Sequence, residues 1–169
     1  DTLKQTIVFA GYGQEKGFDP CYKHFYKAKL NGKKQEVLTH GDGTHDLLFS
    51  DDKRFAIDSY SRINLPTVFN VVSIEQPKHY YEVVRRSDAD LKAAGWQPPR
   101  LISLKANDNK TMLYGIMYVP FNLDVHKKYP IISNVYPGPQ DDQLPRAFTL
   151  DDNGNQSLAN MGFIVVNIA

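Results

Sequence analysis

The chain has 169 residues, of which 41% are hydrophobic and 23% are charged, and its formal net charge is +1. This balance is that of an ordinary globular protein, and the length suits one large domain or two smaller pieces. The near-neutral charge, with basic residues scattered in pairs, argues against a nucleic-acid partner. The single cysteine, Cys21, excludes an intramolecular disulfide and a multi-cysteine metal site. No apolar run reaches about 18 residues, so no membrane span is expected.

The first half of the chain predicts short antiparallel strands. An apolar run at residues 6–10 is the first of them. Alternation over residues 22–30 has the period of two that is typical of a half-buried strand, with Tyr22, His24, Tyr26, Ala28 and Leu30 on the apolar face. Asn31-Gly32 then predicts a hairpin, with a return strand at residues 35–38.

The same pattern restarts and predicts four strands in about forty residues, which is the period of one propeller blade. The four strands are predicted at residues 46–49, 54–60, 68–74 and 80–84, with a tight turn at 50–53 and a loop at 62–66. Residues 6–38 fit the last three strands of a preceding blade. A blade buries its faces against its neighbours, so we expect the other blades to lie in a longer polypeptide.

A small β-sandwich is an alternative, because it also has short strands at regular spacing. The turn Ser50-Asp51-Asp52-Lys53 favours the propeller. It lies between the first two strands of the blade, where propellers often carry Ser-Pro-Asp-Gly.

A short helix is predicted at residues 87–95, with Ser87 as its N-cap and Gly95 beyond its C-terminus. Pro98-Pro99 ends this segment and indicates a domain boundary. The predicted organisation is therefore 1–86, a linker at 87–98, and a second domain at 99–169.

The second domain begins with a predicted hairpin, whose strands at 101–106 and 111–119 flank a polar loop. An apolar strand is predicted at 131–136, followed by a helix that ends at Gly162. The β-branched run at 163–168 predicts a strand buried on both faces, as in a parallel sheet. Strand, helix-containing crossover and buried strand together predict the start of an α/β layer.

Tyr136 is the last residue of the predicted strand 131–136, and the rigid turn Pro137-Gly138-Pro139 follows it. A phenol, with an ordinary pKa of about 10, keeps its proton at neutral pH and can donate a hydrogen bond to an oxyanion. From local pattern alone, the favoured interpretation of Tyr136 is a strand-end aromatic residue beside a loop.

The order Lys128-Tyr129-Pro130, apolar strand, Tyr136-Pro137-Gly138-Pro139 resembles the opening of the catalytic domain in the prolyl oligopeptidase family, most closely its dipeptidyl peptidase IV branch. The resemblance implies a mainly β fold with some α/β: the last blades of a β-propeller followed by the N-terminal part of an α/β-hydrolase domain. It also implies peptide hydrolysis by a Ser-His-Asp triad, with the tyrosine at position 136 as one donor of the oxyanion hole.

The sequence contains no G-x-S-x-G motif, so no nucleophile can be named. We therefore expect a segment of a serine peptidase that supplies Tyr136 but is inactive alone, since its triad lies elsewhere. A non-catalytic β-rich binding or scaffold module and part of an α/β-hydrolase esterase are the alternatives.

No cofactor and no metal site are expected. His40 and His45 lie in a Gly-rich stretch that predicts an inter-blade loop, and Asp151 to Asn155 fail the EF-hand spacing and predict a turn before a helix. The partners implied are a peptide substrate and the remainder of the polypeptide, or another chain, over exposed sheet edges. The resemblance suggests a periplasmic or secreted protein.

Overall fold

The structure is a computed structural model that describes residues 5–136 and 144–168. The chain divides into two compact units, Asp1–Arg86 and Ser87–Ala169. Each unit is built mainly from antiparallel sheets, which confirms the mainly β fold expected from the sequence. The assignment of residues 1–86 to propeller blades, 87–98 to a linker and 99–169 to the start of an α/β-hydrolase domain stays a prediction.

The first unit contains two antiparallel sheets whose strands follow one another in chain order. The first sheet consists of β1 (Thr6–Gly11), β2 (His24–Lys29) and β3 (Glu36–Val37). The second consists of β4 (Thr44–Phe49), β5 (Phe55–Arg62), β6 (Leu65–Ser73) and β7 (Tyr80–Arg85). These are the three-stranded and four-stranded groups that the sequence predicts.

The core of the first unit lies between these sheets, because alternation turns one face of each strand inward. Its buried cluster consists of Leu38, Ala56, Val72 and Ile74, against which Val8, Phe25, Leu47 and Phe49 pack. The inward residues predicted at 22–28 are all buried, whereas Leu30 is exposed. That part of the prediction is wrong, because β2 ends at Lys29 and the backbone has already turned.

Three connections of the first unit test the turn predictions. The turn at residues 50–53 is confirmed: Lys53 N donates to the Ser50 carbonyl at 2.9 Å. The Asn31-Gly32 turn is longer than a two-residue hairpin, since β2 ends at Lys29 and β3 begins only at Glu36. The loop predicted at 62–66 is wrong, because β5 and β6 leave only residues 63 and 64 between them.

The second unit is a four-stranded mixed sheet with two short helices. In chain order its elements are α1 (Ala89–Ala93), β8 (Arg100–Lys105), β9 (Met112–Tyr118), β10 (Ile131–Ser133), α2 (Asn155–Asn160) and β11 (Ile164–Ile168). The sheet order is β10-β11-β9-β8, and only the β10–β11 pair is parallel. Parallel neighbours need a long crossover, which here contains α2.

The structure corrects three details in this unit. β10 ends at Ser133, so Tyr136 is not the last residue of the strand. In β11 only Val165 is buried, so the strand is not covered on both faces by the described residues. The N-cap of α1 is Asp88 rather than Ser87, although the Ser87 hydroxyl accepts a hydrogen bond from Ala89 N at 3.1 Å.

Gly95 lies beyond α1 with φ +92°, in the left-handed conformation that was predicted for it. The turn Pro137-Gly138-Pro139 lies outside the described residues. None of the helices in the described part of the chain is long and apolar enough to cross a membrane.

Candidate functional site

Tyr136 lies three residues beyond the end of β10, and 52% of its surface is exposed. The strand before it is held by its parallel register with β11, where Ser133 pairs with Val166. Pairing extends one residue further, since Asn134 N donates to the Val166 carbonyl at 2.8 Å. The phenol is therefore open to a ligand, and the described backbone before it is fixed as far as Asn134.

The other end of β10 is also anchored. Ile164 N donates to the Pro130 carbonyl at 2.9 Å, which begins the parallel pairing. The hydroxyl of Tyr129 accepts a hydrogen bond from Asp124 N at 2.9 Å. Tyr129 and Pro130 therefore fix the entry to the strand, and Tyr129 uses its hydroxyl in that role.

A hydrogen-bonded group of polar side chains connects the end of β10 to α2 and β9. Asn134 Nδ2 donates to Asn155 Oδ1 at 2.7 Å, and Asn155 Nδ2 donates to Asp152 Oδ2 at 3.2 Å. The hydroxyl of Tyr118 donates to the same carboxylate oxygen at 3.2 Å. Burial, followed by the charge of Asp152, raises the pKa of Tyr118 well above its ordinary value, so this phenol stays protonated.

The start of α2 is fixed by side chains from the turn before it. Asp151 accepts hydrogen bonds from Gln156 N at 2.9 Å and from the Ser157 hydroxyl at 2.7 Å. Gln156 Nε2 donates to the Val119 carbonyl at 3.0 Å, which ties the helix to the end of β9. The Asx-rich turn expected ahead of a helix is thus confirmed, and the Asp151 carboxylate accepts one backbone N–H and one side-chain hydroxyl of the first helical turn.

The first unit contains a His–Asp pair that the sequence analysis missed. His45 Nδ1 lies 2.8 Å from Asp58 Oδ1, and both side chains are completely buried. His45 Nε2 lies 3.1 Å from the Gly41 carbonyl, and Asn70 Nδ2 donates to Asp58 Oδ2 at 3.3 Å. Because a carbonyl can only accept, His45 donates through Nε2 to Gly41, and its Nδ1 shares a hydrogen bond with the Asp58 carboxyl group.

His24 stacks against this pair, with a distance of 4.6 Å between the centroids of the two imidazole rings. Its Nε2 has no hydrogen-bond partner among the described residues. Burial, and then the neighbouring His45, lower the pKa of His24. A His–Asp couple could act as base and orienter, but complete burial closes this one to a substrate, so its role is structural.

Within residues 5–136 and 144–168, no group of three or more His, Cys, Asp or Glu side chains could hold a metal ion. The stretch predicted as an inter-blade loop, His40 to His45, is a loop only in its first part, since β4 begins at Thr44. A cavity of about 440 Å³ opens in the first unit beside Val8, Lys27 and Phe49. Neither the His45–Asp58 pair nor His24 lines this cavity.

The structure thus leaves Tyr136 exposed and brings Asn134, Asn155, Asp152 and Tyr118 together behind its strand. The sequence analysis named Tyr136 and missed the other four. An asparagine inside an otherwise apolar strand was the available signal for Asn134, since a strand residue of this type needs a polar partner.

Comparison with known proteins places this geometry in a family context. The model of the dipeptidyl peptidase IV (DPP IV) N-terminal region matches residues 1–67. Human dipeptidyl peptidase 8 is 25% identical over 178 aligned residues, covering 99% of this chain and 19% of that protein. A probable dipeptidyl-aminopeptidase B of Aspergillus terreus is 27% identical over 155 residues, covering 88% of this chain and 16% of that protein.

The crystal structure of Porphyromonas gingivalis dipeptidyl peptidase 4 shares the fold, with a TM-score of 0.72 and 22% sequence identity. The match covers 98% of this chain and 23% of that one. The chain therefore spans less than a fifth of the length of the curated relatives it matches. The family match, the relatives and the shared fold together confirm that the chain resembles a segment of dipeptidyl peptidase IV-like peptidases, with residues 1–67 matching their N-terminal region.

Proposed function

We propose that the chain is part of a longer serine peptidase of the dipeptidyl aminopeptidase or prolyl oligopeptidase type. In this proposal residues 1–86 are the last blades of the propeller, 87–98 are a linker, and 99–169 begin an α/β-hydrolase domain. The observation that carries it is that dipeptidyl peptidases align with nearly the whole chain, across both units. The parallel β10–β11 pair with its helix-containing crossover supports the assignment of the second unit.

Tyr136 is the group through which this segment takes part in the reaction. Its exposed phenol, next to a strand held by β11, can donate a hydrogen bond to the oxyanion of a tetrahedral intermediate. The nucleophile, the base and the second donor come from other parts of the polypeptide. The chain by itself is therefore expected to hydrolyse nothing, because the covalent route needs the nucleophile.

The remainder of the polypeptide is the proposed partner of the exposed sheet surfaces. In the first unit, Leu48, Ile57, Tyr81 and Val83 expose apolar side chains on the second sheet and its last strand. In the second unit, Ile131 of β10 is exposed as well. Apolar surface of this extent on sheet faces and edges is normally covered by further protein.

The test is the substitution Tyr136→Phe in the full-length protein, assayed with a proline-linked chromogenic dipeptide. Loss of one oxyanion donor is expected to lower kcat by about 100- to 1000-fold. Tyr12→Phe is the matched control, since this tyrosine is exposed in the loop after β1 and its substitution is expected to leave kcat unchanged. Unchanged turnover in Tyr136→Phe would refute the role of the phenol.

The alternatives give different results in the same experiment. An esterase would hydrolyse a chromogenic ester and leave the peptide substrate intact. A binding or scaffold module would hydrolyse neither substrate, even as the full-length protein. Only turnover of the peptide that depends on Tyr136 supports the proposal.

A further inference from the structure

The position of Tyr136 raises the question of what fixes it. β10 has only three residues and lies at one end of the described sheet, next to β11 alone. Two of those three residues, Ile131 and Ser133, are exposed. A short edge strand with few buried contacts is among the less stable parts of a fold, so its own packing gives little control over the residues that follow.

The side chain of Asn134 supplies a further anchor. Its Nδ2 donates to Asn155 Oδ1 at 2.7 Å, a contact that joins the end of β10 to the start of α2 across 21 residues of sequence. Asn155 is 1% exposed, so this hydrogen bond has a buried acceptor. A backbone hydrogen bond to Val166 holds the same residue from the neighbouring strand.

The acceptor itself is held in one orientation. Asn155 Nδ2 faces Asp152 Oδ2, which can only accept as a carboxylate, while Asn155 Oδ1 faces the Asn134 donor. Rotating the Asn155 amide by 180° would oppose donor to donor and acceptor to acceptor. The Tyr118 hydroxyl, at the end of strand β9, donates to the same Asp152 oxygen and completes the network.

We propose that Asn134 is a positioning residue for Tyr136: its hydrogen bond to the Asn155 amide, fixed in turn by Asp152 and Tyr118, holds the end of β10 so that the phenol meets the oxyanion. This inference rests on the proposed function. Asn134 does not touch the substrate in this scheme; it acts through the backbone two residues before Tyr136.

The expected effect follows from the geometry of catalysis. A donor that is displaced by about 1 Å can lose about 100-fold in rate. Loss of Asn134 leaves the strand pairing intact and removes only the side-chain anchor, so kcat is expected to fall by about 10-fold. KM is expected to stay within about 2-fold, because the oxyanion interaction is made in the transition state rather than with bound substrate.

The experiment is a double-mutant cycle in the full-length protein, with Asn134→Ala, Tyr136→Phe and the double variant. If Asn134 acts through the phenol, its substitution lowers kcat in the parent and has no further effect in the Tyr136→Phe background. Asn134→Asp keeps the shape but loses the Nδ2 donor, so it is expected to lose at least as much as Asn134→Ala. Asn122→Ala is the control, since Asn122 is exposed in the loop after β9.

Different results would refute the positioning role of Asn134 and the proposed function of Tyr136. Independent losses that multiply in the double variant, or an unimpaired Asn134→Asp, would overturn the positioning role while Tyr136→Phe still confirms the donor. An unimpaired Tyr136→Phe would overturn the proposed function itself. If Asn134→Ala does not fold, Asn134→Ser replaces it, and the serine hydroxyl keeps a hydrogen-bond donor. If Asn134→Ser and Asn134→Asp both had the kcat of the parent, the positioning role of Asn134 would be refuted.

Discussion

Replacing Asp58 with alanine is expected to destabilise the first unit by about 3–5 kcal/mol, the range for breaking a buried ion pair on one side. The structure gives the reason. Asp58 is hydrogen-bonded to two buried partners, His45 and Asn70, and its side chain has no exposed surface. Each donor left without a partner costs about 1–3 kcal/mol, so the two together agree with that range.

The measurement is the free energy of unfolding of the full-length protein by urea, together with hydrogen exchange of the peptides that contain β4 and β5. Exchange is needed because it reports on β4 and β5 directly, whereas Trp96, the single tryptophan of these 169 residues, lies in the second unit. Loss of a buried anchor should speed exchange in both strands by about 100-fold or more, since 1.4 kcal/mol corresponds to a factor of ten.

Asp46→Ala is the matched control for Asp58→Ala. Asp46 lies in β4 next to His45, but its carboxylate is 76% exposed and, among the described residues, pairs with Lys23 at the surface. Exposed ion pairs contribute about 0–1 kcal/mol, so the control should be close to neutral. Equal effects of the two substitutions would show that the buried pair contributes no more than a surface contact, and the reasoning would be wrong.

Two further predictions concern acid stability and strand packing. Since the pKa of His24 is lowered in the folded state, the unfolded chain binds more protons below about pH 6.5. The free energy of unfolding of the first unit should therefore be highest above that pH and fall as the pH drops. His24→Phe should flatten this dependence in urea titrations between about pH 5 and 8. In β9, a Cβ added at Gly115 would lie 2.6 Å from the Asn167 carbonyl oxygen. Gly115→Ala should therefore lower the free energy of unfolding by about 1–3 kcal/mol, measured by Trp96 fluorescence. The control is Met112→Ala, at an exposed position of the same strand, which should change stability by about 0.5 kcal/mol or less.

The sequence alone was sufficient for the features that depend on neighbouring residues. Alternation at residues 22–28 identified the buried face of β2, because successive strand side chains point to opposite faces. The turn at 50–53 could be predicted because Ser50 and Asp52 bond the local backbone and side chains. Gly95 could be placed beyond α1, because a helix often ends at a glycine with positive φ.

Strand limits were less predictable, because they depend on the neighbouring strand. The apolar run at 131–136 favours a strand to Tyr136, yet pairing with β11 stops near Asn134. The burial of β11 was overestimated for a similar reason. A continuous apolar run indicates what a strand could bury, whereas actual burial depends on the elements that cover it.

The two polar clusters, around Asp58 and around Asn155, depend on the tertiary structure and could not be predicted from local sequence. His45 and Asp58 are 13 residues apart and meet because β4 and β5 pair in one register, and Asn134 meets Asn155 because the crossover brings α2 against the sheet. Periodicity and turn chemistry act over a few residues, so they identified Tyr136 as a candidate but not the groups that hold its strand. Contacts across a register or a crossover depend on the whole fold, and the sequence by itself determines them only through that fold.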